Sequence, residues 1–212
     1  MKQGFFVTGT DTEIGKTAVS CALLRSFSLL GLKSAGMKPV SSGGGDAERL
    51  AKAASLELPV EFLNPFSFNT PVAPHIAALN EGRKIDIGKI VSAYESIEAD
   101  VVVVEGVGGF MVPLNEDQDV SDLAQSLGLP VILVVGMKLG AINHARLTFD
   151  AIRARGIECA GWVANRVDPE MAVFDEVLES IRRYIDAPLI DVTPFDPEGN
   201  FLIDVSSLVN PR

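Results

Sequence analysis

Between the apolar run Phe5-Phe6-Val7 and an uninterrupted helix-forming stretch over residues 18–30 stands Gly9-Thr10-Asp11-Thr12-Glu13-Ile14-Gly15-Lys16-Thr17. Strand, glycine-bounded loop, Lys-Thr and helix in that order leave few folds open, because the chain must turn tightly from a buried strand into a helix start. Such a loop aims its backbone N–H groups into one concavity, and the helix N-terminus adds a partial positive charge there. The result is a cradle for phosphate, with Lys16 placed to reach the outer phosphates of a nucleotide and the Thr17 hydroxyl to ligate magnesium. The usual pattern sets four residues between its glycines. Here Thr10 stands where that glycine would fall, and five residues separate Gly9 from Gly15. The competing explanation is a glycine-bearing turn with an exposed lysine; the context, after the first strand and before an unbroken helix, favours the nucleotide loop.

Further apolar runs alternate with helix-like segments. Strands are expected over 5–7, 34–37, 101–104, 131–135, 160–163 and 189–192, and helices over 17–30, 47–54, 74–80, 87–97, 121–127, 142–155 and 169–185. Several strands, Val101-Val102-Val103-Val104 above all, are unbroken instead of alternating, which means burial on both faces, as in a parallel sheet covered by helices. The expected fold is α/β: a single doubly wound domain over residues 1–212, with a mainly parallel sheet and helices on both faces. Asp168 followed by Pro169 marks an expected helix start, Arg182 and Arg183 suit that helix's end, and Gly156 stops the helix before it. Residues 64–74, with Pro65, Pro71 and Pro74, read as a rigid, exposed loop.

The chain carries a formal net charge of −10 with no basic cluster, which speaks against nucleic acid or an anionic membrane as partner. An anionic ligand must then be caught by local features. Cys21 and Cys159 stand apart among apolar neighbours and fit inert core thiols better than a disulfide or a metal pair. No signal peptide precedes the first strand, and the apolar run around residues 130–135 is too short to cross a bilayer, so the cytoplasm is the expected compartment.

In open parallel sheets ligands gather at the carboxyl ends of the strands, so the residues there are the candidates for chemistry. Lys38-Pro39 follows the second strand, with Ser42 and then Gly43-Gly44-Gly45-Asp46 beyond. Lys38 is either a solvated surface lysine or a charge held beside the phosphate loop. The triple glycine is either a loose loop or a bend that delivers Asp46. Glu105 ends the Val101–Val104 run, where phosphate-loop enzymes place a magnesium-associated carboxylate, and Gly106-Val107-Gly108-Gly109 follow. Magnesium takes few protein oxygens and completes its octahedron with phosphate and water, so Thr17, Asp46 and Glu105 would suffice. Gly140-Ala141-Ile142-Asn143 could offer free N–H groups to a carboxylate or could be a plain strand-to-helix turn. Asn165, after the fifth strand, matches the donor-and-acceptor edge of adenine, or is a turn residue. Thr193-Pro194-Phe195-Asp196 makes a stiff loop able to border a base. His75 and His144 lack acidic or cysteine partners and are read neither as metal ligands nor as bases.

Residues 6–17 (FVTGTDTEIGKT), 35–42 (AGMKPVSS), 104–109 (VEGVGG), 130–143 (PVILVVGMKLGAIN) and 160–165 (AGWVAN) together resemble the dethiobiotin synthetases, the ATP-dependent ring-closing enzymes of biotin synthesis. The five-residue loop spacing is the one that family shows. The resemblance implies a P-loop NTPase-like fold and a ligase working on 7,8-diaminononanoate, carbon dioxide and ATP with magnesium. It implies that one amine is carbamated, that the carbamate attacks the γ-phosphate to give a carbamic-phosphoric anhydride, and that the second amine closes the cyclic urea. It makes Lys38 and Lys16 the catalytic lysines. It places ATP on Thr12, Glu13, Ile14, Gly15, Lys16, Thr17 and Ala18, beside Asp46, Glu105, Gly106, Val107 and Gly108. The adenine falls against Asn165, Arg166, Pro194, Phe195 and Asp196, and the metal on Thr17, Asp46 and Glu105. Substrate contacts fall on Thr12 and Ser42, and on Gly140, Ala141, Ile142 and Asn143 across a homodimer interface. Two other classes share such a loop. A partitioning ATPase carries a second lysine early in it, where this chain has Asp11 and Thr12. A related amidotransferase needs a glutamine-hydrolysing cysteine domain, for which this chain is too short.

Overall fold

In a computed structural model, residues 2–196 and 198–209 are described. The first half of the chain runs β1 (Gln3–Gly9), α1 (Lys16–Leu29), β2 (Ser34–Met37), β3 (Val40–Ser42), α2 (Asp46–Ala53), α3 (Val60–Leu63), β4 (Phe66–Phe68), α4 (Pro74–Asn80) and α5 (Ile87–Glu95). The second half runs β5 (Val101–Glu105), α6 (Val120–Leu127), β6 (Val131–Met137), α7 (Ala141–Ala154), β7 (Cys159–Arg166), α8 (Phe174–Tyr184) and β8 (Leu189–Thr193). Six strands form one parallel sheet in the order β2-β5-β1-β6-β7-β8. The chain thus starts in the middle, works to one edge, returns through β1's other neighbour and ends at the far edge, as the α/β expectation requires.

The unbroken strands fill both faces of the sheet. Phe5, Val7, Val101, Val103, Ile132 and Val134 point into one core with Val19, Leu23 and Phe27 of α1. Phe6, Val102, Val104, Leu133 and Val135 point into the other, against α5 to α8. Successive strand side chains alternate sides, so a run of four valines stocks two cores at once. Burying each such side chain contributes about 1.5–3 kcal/mol. The first core is closed by a segment with no regular structure, in which Ile203, Val205 and Leu208 cover α1. Both cysteines are free, Cys21 in the core and Cys159 half-buried against it, and burial pushes the pKa of each thiol up to about 11, in keeping with inert thiols.

Three expectations need correction. Residues 64–74 are not a uniformly exposed loop: Asn64, Phe66 and Phe68 are buried, and β4 pairs in parallel with β3 as a separate two-stranded sheet. Strands of three residues flanked by prolines show no usable period, which is why both were missed along with the four-residue α3. The last helix begins at Phe174 instead of Pro169, with Val173 at its N-cap. The Asp168 carboxylate instead accepts from Glu170 N at 2.9 Å in a local turn, the other structure that Asp-Pro favours.

Candidate active site

The strand order decides what meets at the sheet's carboxyl edge. Because β5 lies between β1 and β2, Glu105 falls between the phosphate loop and Lys38; Val7 is in register with Glu105, and Met37 with Val104. Asp46 opens α2 close by.

The loop after β1 is built for tight approach. Gly15 is the N-cap of α1 at φ 83°, a left-handed conformation that glycine adopts freely, and no side chain caps the helix. The first N–H groups of α1 are therefore left for a ligand. Glu13 sits at φ 54°, alone in positive φ among the described non-glycine residues, a conformation found at ligand clamps. Ile14 turns its side chain into the core, where it fills the place a Cβ on Gly136 would need. Lys16 is 6% exposed and folds back so that Nζ donates to the Asp11 carbonyl at 2.7 Å. Burial, and then the charge of Lys38, push its ammonium down to about 8.

Lys38 is no surface lysine: it is 3% exposed. Its Nζ lies 2.6 Å from Glu105 Oε1, 3.2 Å from Asp46 Oδ2 and 3.0 Å from the Gly106 carbonyl, which occupies all three ammonium protons. Burial alone would lower its pKa, but the carboxylates of Glu105 and Asp46 outweigh that and the net direction is upward. Lys38 therefore stays charged. The Thr17 hydroxyl donates to the same Glu105 Oε1 at 2.8 Å, while the buried Oε2 has no partner. A buried carboxylate oxygen without a donor is costly unless something cationic reaches it. With the Thr17 hydroxyl and Asp46 beside it, the set fits a hard cation that takes most of its oxygens from phosphate and water. No group of three His, Cys, Asp or Glu side chains able to hold a metal occurs among the described residues.

These groups line a cleft of about 840 Å³. Of the residues singled out from sequence, Thr12, Glu13, Gly15, Lys16, Thr17, Ala18, Lys38, Ser42, Asp46, Glu105, Val107, Gly108, Asn165, Arg166, Phe195 and Asp196 form its walls. The Ser42 hydroxyl is buried and has no protein partner. Asn165 sits two strands beyond the phosphate loop, toward β8, so the cleft runs from Lys38 at one sheet edge to the Phe195 loop at the other. Ile14 and Pro194 are not in the wall, and Gly106 contributes its carbonyl to Lys38. Gly140, Ala141, Ile142 and Asn143 do not line this cleft either; Gly140 caps α7 at φ 90°, and the adjoining Leu139 is almost wholly exposed.

The wall also contains residues that sequence alone did not point to: Arg49, Val112, Val167 and the apolar lip Pro71-Val72-Ala73-Pro74. Arg49 follows Asp46 by three positions on α2, a spacing that puts both on one helix face and was available as a signal. Nothing in the sequence says that the proline-bounded lip turns toward the phosphate loop.

A family model described as an AAA domain matches residues 3–199. An ATP-dependent dethiobiotin synthetase BioD of Aromatoleum aromaticum is 54% identical over 203 residues, 91% of this chain and 90% of that protein. The protein of the same name from Nitrosospira multiformis is 49% identical over 217 residues, covering 99% and 96% of the two chains. Among solved structures, the MinD cell division protein of Aquifex aeolicus is similar with a TM-score of 0.60 at 16% identity, covering 92% of this chain and 84% of that one. The septum site-determining protein MinD of Pyrococcus horikoshii OT3, solved with Mg-ADP, has a TM-score of 0.58 at 15% identity, covering 98% and 89%. At such identities the structural neighbours speak for the fold alone.

Proposed function

The chain belongs to the ATP-dependent dethiobiotin synthetases, and from that premise we propose how its own residues carry the reaction. It is an ATP-dependent ligase of biotin biosynthesis. The substrates are 7,8-diaminononanoate, carbon dioxide and ATP. One amine takes up carbon dioxide as a carbamate, and a carbamate oxygen attacks the γ-phosphorus and displaces ADP. The second amine then attacks the carbonyl carbon of the mixed anhydride, expelling phosphate and closing the cyclic urea of dethiobiotin.

The observation that carries this proposal is the convergence of Lys16, Lys38, Thr17, Asp46 and Glu105 on one cleft. The chemical difficulty is electrostatic, since an anionic carbamate must meet a polyanionic phosphate. Lys16 and the free N–H groups of α1 neutralise the outer phosphates, and Lys38 offers a permanent charge to the oxygens in transfer. Its three acceptors hold it in place beforehand, so little reorganisation is needed. The nucleophile is the substrate's own carbamate, which explains why neither cysteine needs activation. The unpartnered Ser42 hydroxyl, in the wall of the same cleft, gives the diamine a polar contact. Thr17, Asp46 and Glu105 would hold magnesium, which when bound would supply positive charge to offset the charge developing in phosphoryl transfer. The decisive experiment is product analysis: incubation with diaminononanoate, bicarbonate, magnesium and ATP should give dethiobiotin by mass. ATP hydrolysis without that product would refute the proposal.

Two consequences follow for assay. Glu105→Gln or Asp46→Asn should raise the magnesium concentration for half-maximal activity by roughly ten- to a hundredfold. Activity that persists in excess chelator, or a metal titration indifferent to both substitutions, would remove these residues from the site. Homodimerisation is the second. The Gly140-Ala141-Ile142-Asn143 turn lies outside its own cleft, so as a carboxylate holder it would serve the neighbour's substrate, and two-fold pairing would make that reciprocal. Dilution into monomers should then weaken diaminononanoate binding far more than nucleotide binding, measured by light scattering and calorimetry over a concentration series. A monomer with undiminished diamine affinity would rule out the shared site.

A further inference from the structure

Thr193 ends β8, is 2% exposed, and lies in register with Asn165 on β7. Its hydroxyl donates to Asn165 Oδ1. The other end of that amide donates from Nδ2 to the Ile14 carbonyl at 2.7 Å. The amide is thus gripped at both ends, by β8 and by the phosphate loop, and the two grips agree on which end is oxygen. The loop backbone lies hard against it, since a Cβ on Gly15 would stand 2.1 Å from Nδ2. An amide has two N–H groups and two carbonyl lone pairs, so one donor and one acceptor remain after these bonds. Asn165 is part of the cleft wall beside Arg166, Val167 and Phe195.

We propose that Thr193 is a specificity-determining positioning residue for the nucleotide base: its hydroxyl locks Asn165 in the one orientation that offers the cleft an acceptor beside a donor. This rests on the proposed seat of a base against Asn165. The Hoogsteen edge of adenine presents the N6 donor beside the N7 acceptor, the complement of that pair, whereas guanine presents two acceptors, O6 and N7. A loosely held amide could tilt to suit either purine. A locked one sets Oδ1 against O6, acceptor to acceptor, and the mismatch disfavours guanine nucleotides. Without the Thr193 hydroxyl, Oδ1 loses its internal donor, the bond from Nδ2 to the Ile14 carbonyl alone holds the amide, and the group can tilt toward the base that enters.

The test compares wild-type protein with Thr193→Val, which keeps the shape and removes the hydroxyl, and Thr193→Ser, which keeps the hydroxyl. The probes are ADP, GDP and inorganic tripolyphosphate, titrated calorimetrically with magnesium into the full chain, with a thermal melt of each variant. Wild type should favour ADP over GDP. Thr193→Val should weaken ADP by roughly tenfold, the scale of one lost hydrogen bond, while GDP holds or gains affinity and tripolyphosphate is unmoved. Thr193→Ser should restore the preference. Thr193→Ala carries the same expectation should the valine variant melt early. Wild-type binding that does not distinguish ADP from GDP overturns the inference, as does an ADP-to-GDP ratio unmoved by loss of the hydroxyl. Equal weakening of all three probes also overturns it, because Thr193 would then only support the loop. The dethiobiotin assay run alongside keeps the two proposals apart. Product with an unmoved ratio fails this inference alone; a ratio that follows Thr193 in a protein making no dethiobiotin fails the proposed reaction alone.

Discussion

Replacing Lys38 with methionine should lower dethiobiotin formation at least about a hundredfold, the effect of losing one preorganised stabilising charge, worth ~2.7–4 kcal/mol. It should also lower the melting temperature of the ligand-free protein. Glu105 is 0% exposed, and Lys38 is the cation that faces it at 2.6 Å. Removing one partner of a buried pair leaves an uncompensated charge, which costs about 3–5 kcal/mol, whereas removing both is often neutral. The double variant Lys38→Met/Glu105→Gln should therefore melt close to wild type and still fail to turn over. The pH dependence has a definite sign. Lys38 is held above its ordinary value of 10.5 by Glu105 and Asp46, against the pull of burial. Its contribution is fully present below 10.5 and fades only as pH climbs through the higher folded value. The stability gap between wild type and Lys38→Met should accordingly stay constant from neutrality up to that point. Near-normal turnover in the single variant would remove Lys38 from the mechanism; a single variant that melts with wild type would mean that the pair does not support the fold.

What the chain disclosed in advance, and what it withheld, divides along a physical line. Glu105 was legible because an acid closing an unbroken run of valines has nowhere to go but the carboxyl edge of a buried strand. Lys16 and Thr17 were legible because the local order of strand, glycine and helix restricts them by itself. The bonds among Lys38, Asp46, Glu105 and Thr17 were not, since they exist only because β5 inserts between β1 and β2, and strand order is not encoded in any local period. The same holds for the grip of Asn165 on Ile14, which joins residues 151 apart in the chain. Short elements vanished for a different reason: β3 and β4 have three residues each, too few for alternation to register. Ile203, Val205 and Leu208 show a third limit. They complete a core without belonging to any strand or helix, so no periodicity announces them.

Lys16→Met should match the loss of turnover, again at least about a hundredfold, yet move stability the other way. Lys16 lies among the loop's own groups with burial and the neighbouring Lys38 charge driving its ammonium down from 10.5 to about 8. A cationic group depressed in the fold means that the unfolded chain binds more protons between those two values, so the stability of the ligand-free protein rises with pH across that window. Below about 8 the fold carries the full penalty of a charged, desolvated lysine, on the order of 3 kcal/mol. Methionine fills the same space without that charge, and forfeits only the bond from Nζ to the Asp11 carbonyl, about 1 kcal/mol. The variant should thus melt above wild type at pH 7, and its advantage should shrink as pH approaches 10.5. Denaturant titrations of both proteins across that range would show it. A variant less stable at neutral pH, or a difference that ignores pH, would mean that Lys16 is well solvated in the empty cleft. The penalty has a functional sense, because a triphosphate seated in the loop supplies the opposite charge that Lys16 lacks and returns the lysine toward its ordinary affinity for the proton. The instability of the empty site then becomes part of the affinity for nucleotide.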